Sequence, residues 1–387
     1  MAHDLFQSGK SKKAISKELG ISRPTIIEWL SHESYEDSRG WKKDKARKYT
    51  DNKVAERVVE LRGKRIDEKK YFIGSDYLRM DYAKEHAKEI VPSKWFVAET
   101  IRKEKLQTRK PKKRRKGGAE YLLYPTESIR NLGYIHQSAD FIGKKYIAGK
   151  SEPVNIFSTC YHAPIKIYQI QRILAEKSTY AIEFLEKFWQ TYPIPDVFRI
   201  DNGLQFRGTA SGKRAIGKFL IFLLNLGVAP LFGSPSKPWT NPHVEGHNRV
   251  FNEKVWRTNH FLSLNQIDAE CKRFNEESEE LFKFKYSNLI VNNRNIFKCL
   301  ERGRKVDTAK LESTENKKIY FTRFAESMDG SKDARMIIMN ENVSLPEKYA
   351  HQFVFAEWNL EKEQLLIYSE YKKIRKLIKK QKFEINL

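Results

Sequence analysis

Arg109 to Lys116, RKPKKRRK, is the stretch that most limits what the chain can fold into: seven of its eight residues are basic and the other is proline. Such a run cannot enter a core, and it stays extended until something neutralises it. It therefore divides the chain. Before it, apolar residues recur with helical spacing; from about Tyr134 they alternate as in strands. A chain of 387 residues also exceeds one ordinary core and calls for several domains.

The charge balance narrows the class of partner. Lys and Arg number 73 against 49 Asp and Glu, a net charge of +24 that a metabolic enzyme does not need and a polyanion would match. Residues 1–120 hold 32 of the basic residues against 19 acids, so the surplus is concentrated there. Cys160, Cys271 and Cys299 are far apart and form neither a CxxC pair nor a structural zinc pattern, which fits a reducing compartment. The most apolar run, Phe219 to Phe232, is broken by Asn225, Gly227 and Pro230 and is shorter than the roughly 20 residues a bilayer requires. Met1 to Leu30 is polar and charged, so neither a membrane span nor a secretory signal is expected.

Lys10 to Leu30 reads as two short helices. Gly20 ends the first, Ser22 caps the second, and Pro24 is tolerated in its first turn. The pattern is that of a helix-turn-helix, with Arg23 and Thr25 at the start of a DNA-reading helix, although any two packed helices would share it. A polar linker is expected over 35–50. A second helical module is expected over 51–108, with helices near Lys53 to Arg62, Tyr77 to His86 and Lys94 to Lys105. Lys94 and Arg102 are its candidate DNA contacts. Arg109, Lys110, Lys112, Lys113, Arg114, Arg115 and Lys116 would grip phosphates without selecting sequence.

Beyond the basic run, three strands precede alternating helices and strands, which points to a mixed sheet covered by helices over 121–290. Short strand candidates over 312–370 predict a small β-barrel. A basic amphipathic helix is expected from Tyr371 toward the C-terminus, over 371–387.

Within the mixed-sheet region three acids have distinctive settings: Asp140 in a strand-like run (SADFIG), Asp201 just after a short apolar strand (VFRIDNGLQF), and Glu245 in the first turn of a helix (NPHVEGHNRVF). Asn202 and Gly203 make a turn that would hold Asp201 at the strand's end. Asn248 and Arg249 share the face of Glu245 and are candidates for orienting it or touching DNA. Lys237 and Trp239, in the loop GSPSKPWT, could hold a phosphate and a base. Three carboxylates converging from separate elements suit two hard divalent ions, Mg²⁺ or Mn²⁺, in phosphoryl transfer. Asp196, Asp268 and Glu253 are competitors with poorer framing.

In these motifs the chain resembles the DDE transposase and retroviral-type integrase superfamily, specifically bacterial insertion-sequence transposases with an integrase catalytic core. Asp140 and Asp201 lie 61 residues apart, and Asp201 and Glu245 lie 44 apart, the second interval somewhat longer than in the compact form of the family pattern, with Gly208 to Gly217 accounting for the extra length. The resemblance implies a multidomain α+β protein: N-terminal helix-turn-helix bundles, an RNase H-like α/β catalytic core with a mixed sheet, and a C-terminal small β-barrel. It further implies Asp140, Asp201 and Glu245 as catalytic metal ligands, double-stranded DNA as partner, a homo-oligomer of at least two copies on DNA, and a cytoplasmic, nucleoid-associated location. The implied activity is a polynucleotidyl transferase that cuts DNA at terminal inverted repeats and joins the 3′-hydroxyl to target DNA. A non-catalytic DNA-binding regulator and a nuclease of the same fold are the alternatives.

Overall fold

The computed structural model describes residues 1–31, 52–107, 122–208, 211–237, 240–327 and 333–386. The expected linker over 35–50, the basic run over 109–116 and Trp239 lie outside these residues. The chain divides into two compact units, Met1–Glu56 and Arg57–Leu387.

In the first unit, helices α1 (Ala2–Gln7), α2 (Lys12–Leu19) and α3 (Arg23–Leu30) pack around the buried Ile15 and Ile26. Gly20 ends α2 at φ +66°, a conformation that costs glycine little. The Ser22 hydroxyl accepts the Thr25 amide at 3.4 Å and so caps α3. The turn therefore forms where the sequence predicts it.

The second unit begins with α4 (Asn52–Asp67), which crosses from the first, α5 (Ser75–Glu85), α6 (Lys94–Lys103) and α7 (Thr126–Arg130). Strands β1 (His136–Tyr146), β2 (Pro153–Ala163) and β3 (Tyr168–Ile173) follow, then α8 (Ser178–Trp189), β4 (Val197–Ile200), α9 (Leu204–Arg207), α10 (Lys218–Asn225) and β5 (Ala229–Phe232). Next come α11 (Pro242–Phe251) and the long α12 (Leu264–Asn292). The remaining strands are β6 (Lys318–Phe324), β7 (Glu326–Ser327), β8 (Asp333–Ile338), β9 (Glu341–Pro346), β10 (Phe353–Asn359), β11 (Gln364–Tyr371) and β12 (Ile374–Lys382).

The main sheet has nine strands in the order β12-β11-β10-β6-β5-β4-β1-β2-β3, and β7, β8 and β9 make a separate three-stranded sheet. β1, β4, β5 and β6 run parallel, and the other neighbours pair antiparallel. The result is a mixed α/β architecture. Alternation along β1 sends Ala139 and Phe141 into the core beneath α8 and α10, while Ile142 joins Phe251, Ile267 and Phe274 of α11 and α12 on the opposite face.

Three expectations are corrected. The helices over 51–108 do not stand apart, since the Glu277 carboxylate of α12 accepts the backbone amides of Tyr71 and Phe72, and Phe72 packs on Phe274 at 4.9 Å between ring centres. The strands over 312–370 do not close into an independent barrel: β6, β10 and β11 extend the central sheet, because the free edge of β5 pairs with β6 through Leu231 with Tyr320 and Phe232 with Phe321. The tail over 371–387 is not a helix. Ile374, Leu377 and Ile378 have helical spacing, but a two-residue turn at Lys372 and Lys373, with φ of +46° and +70°, folds β12 back onto the open edge of β11. Unpaired strand edges offer a full row of backbone partners, and here that outweighs local periodicity.

Phe321 is fully buried and stacks on Phe232 with ring centres 5.3 Å apart. Phe321→Ala should cost about 3–5 kcal/mol in urea unfolding. The second unit should still unfold in one transition, whereas a separate transition affected alone would show that β6 belongs to an independent domain.

Candidate active site

The site is built where parallel strands end, the usual position of a crevice in an α/β sheet. Ser138 of β1 pairs with Arg199 of β4. Two residues further along each strand, the same register sets Asp140 opposite Asp201, just past the last paired position. Glu245 enters from above in the first turn of α11, behind Pro242 at its start. All three line one cleft with a volume of 290 Å³, together with Asn202, Gly203 and the loop from Gly233 to Lys237.

Each carboxylate is held by local chemistry. The Asn248 side-chain amide donates to Asp140 Oδ2 at 3.0 Å, tying α11 to β1. Asn248, expected to orient Glu245 or to touch DNA, is buried and makes this bond to Asp140. The Gly203 amide donates to Asp201 Oδ1 at 2.9 Å, the side-chain turn expected from Asp-Asn-Gly. Beyond α9 the chain returns where Gly208, at φ +95°, meets Gly217 backbone to backbone. A β-carbon on Gly208 would lie 2.4 Å from the Gly217 α-carbon, so neither position has room for a side chain.

Burial changes the protonation of all three acids, and crowding adds to it at Asp140. Burial, then the charges of Asp201 and Glu245, push the Asp140 carboxyl up from its ordinary 3.8 to about 7. Asp201 opens to the cleft, yet the protein packed around it raises its carboxyl too, opposed by the Gly203 amide and by Arg207. Burial also raises Glu245. Among the described residues no three His, Cys, Asp or Glu side chains are drawn into a ready-made metal shell. The carboxylates share an open cleft.

The competing acids have structural partners. Asp196 accepts the amides of Tyr134 and Ile135 at 2.7 and 2.8 Å, and Asp268 pairs with Arg172 at 2.7 Å. His162 stacks on His243 at 4.3 Å, and His247 on Tyr168 at 4.4 Å.

The candidate DNA contacts fare unequally. Arg23 and Arg249 are exposed. The Thr25 hydroxyl is engaged with Ser22 at 2.7 Å. Lys94 pairs with Asp76 and Arg102 with Glu99, which reduces what either offers a phosphate. Lys237 lines the cleft, its ammonium 4.9 Å from the centre of the Phe324 ring. Sequence reading missed Arg323 of β6, which lies directly behind the cleft. A lone arginine in an apolar strand was the available signal, but nothing in the sequence said which loop it would meet.

No protein-family model matches the chain, and no curated protein matches it. Among solved structures 61 chains match. One belongs to the cryo-EM structure of the simian T-cell lymphotropic virus intasome in complex with PP2A regulatory subunit B56 gamma. It is 15% identical, spans 66% of this chain and 90% of its own, and has a TM-score of 0.30. No helix among the described residues is long and apolar enough to cross a membrane.

Because the folded Asp140 holds its proton up to about pH 7 and the unfolded one only to about 3.8, the folded state binds more protons between these values. Stability from this group is full below that window and is lost as pH rises through it. Without divalent ions, Asp140→Asn should therefore raise the melting temperature at pH 8, and the gain should vanish near pH 4. An equal gain at both pH values would contradict the assigned protonation.

Proposed function

We propose that the chain is a DDE-type DNA transposase, of the insertion-sequence kind, with an RNase H-like catalytic core. The observation that carries this reading is the convergence of Asp140, Asp201 and Glu245 from a central strand, a neighbouring strand end and a flanking helix into one cleft. The strand order β3-β2-β1-β4-β5, with the first three antiparallel and β4 and β5 parallel to β1, supports the core assignment.

The donor set is all carboxylate oxygen, which fits Mg²⁺ or Mn²⁺, and such ions bind through a few carboxylates while keeping water and substrate phosphate oxygens. Asp140, Asp201 and Glu245 would hold them. Two bound ions would neutralise the scissile phosphate, activate the attacking oxygen and stabilise the leaving one. The protein itself keeps the carboxylates in register, with Asn248 orienting Asp140 and the Asp201 turn closed by Gly203. Lys237, which lines the cleft, would meet a DNA phosphate.

Double-stranded DNA is the partner the charge calls for, with α1 to α3 acting as a helix-turn-helix and Arg23 exposed at the start of its reading helix. Arg249 adds an exposed cation on α11. Cutting two element ends together requires at least a dimer on DNA.

The test is a strand-transfer assay with labelled DNA flanking the encoding gene, in Mg²⁺, Mn²⁺ and chelator. Metal-dependent cleavage and joining of the donor 3′ end are expected. Asp140→Asn, Asp201→Asn and Glu245→Gln should each lower both steps by about 10²–10³-fold or more while sparing DNA binding. Binding without cleavage would favour a regulator, and cleavage without joining a nuclease.

A further inference from the structure

We infer that Arg323 is a positioning residue for the carboxylate site, and that the C-terminal strands thereby complete the site. This inference rests on the proposed phosphoryl-transfer function. Arg323 lies near the end of β6 and is 3% exposed. Its guanidinium meets only neutral acceptors in its four hydrogen bonds. Nε donates to the Ile337 carbonyl at 2.8 Å, Nη1 to the carbonyls of Gly233 and Thr322 at 2.7 and 2.9 Å, and Nη2 to Asn202 Oδ1 at 2.8 Å.

A buried cation without a carboxylate partner is expensive to keep, and burial pulls this guanidinium down to about 9, still charged at neutral pH. Structural duty at that position could be met by an apolar side chain. What an apolar residue could not do is grip two loops at once, as the planar fork does. Asn202 follows Asp201 directly, and Gly233 opens the loop that carries Lys237; both line the cleft. The Asn202 amide also donates to the Gly233 carbonyl at 2.7 Å, so the three groups form a closed triangle. A second tie repeats the logic: Arg207, whose charge reaches Asp201, donates to Asn340 in the β8–β9 turn, and Asn340 in turn donates to the Gly212 carbonyl at 2.9 Å.

The experiment uses the full chain with Arg323→Gln, Arg323→Lys and Asn202→Ala. For Arg323→Gln, kcat for donor cleavage should fall about 10²-fold, the cost of a misplacement near 1 Å, with KM and DNA affinity within threefold of wild type. Arg323→Lys keeps the charge but not the fork, so it should stay within tenfold of Arg323→Gln. Asn202→Ala, which removes only the gripped side chain, should lose kcat in the same direction, and the double variant should lose no more than Arg323→Gln.

Amide exchange gives a readout that needs no activity. Exchange at Gly203 and Gly233 should accelerate in Arg323→Gln while β1 and β2 keep their protection. Wild-type kcat in Arg323→Gln, a loss confined to KM, or full rescue by lysine would overturn the inference. If the wild type neither cuts nor joins, the proposed function fails, and exchange then decides the matter alone: unchanged rates at Gly203 and Gly233 would overturn the positioning role.

Discussion

Three carboxylates repel one another, and the second unit is arranged so that they cannot move apart. Asp140 is fixed by its pairing with Ser158 of β2, Asp201 is closed into a turn one residue beyond β4, and Glu245 rides on a helix tied to β1 through Asn248. Burial first, and then the charges of Asp201 and Glu245, raise the Asp140 carboxyl in that arrangement. Sites of this kind hold perturbed carboxyls because the folded protein keeps together groups that would separate if free to do so.

Rigidity of that order has to come from outside the three elements. On one face, α8 and α10 bury an aromatic core against β1, β2 and β4, with Trp189 donating to the buried Gln137 of β1 at 2.8 Å. On the other, α12 locks α11 against the sheet and anchors the segment between α4 and α5 through Tyr71 and Phe72. The C-terminal strands brace the floor from the side. The catalytic reading and the fold are thus linked through ordinary packing and through neutral hydrogen bonds to two arginines.

The local framing of the three acids was legible in the sequence. The framing of Asp201 by Asn-Gly and of Glu245 by Asn-Pro is local turn and cap chemistry, and the structure forms both elements at those positions. Asn248 was legible as a neighbour of Glu245, but its partner Asp140 lies 108 residues away and could not be read from helical spacing. The exposed tail shows the opposite error. Its helical spacing was real, yet a free strand edge decided the outcome.

By itself the sequence determined the helical N-terminal third, the change to strands near Tyr134, the basic surplus and the three framed acids. These depend on residue type, periodicity and turn preference, which act over a few neighbours. Only the tertiary structure decided that β6 pairs with β5, that Tyr71 and Phe72 dock on α12, and that Arg323 reaches Asn202. Such pairings join residues separated by 89 to 206 positions, and they are chosen by which edge or surface remains open once everything else has packed.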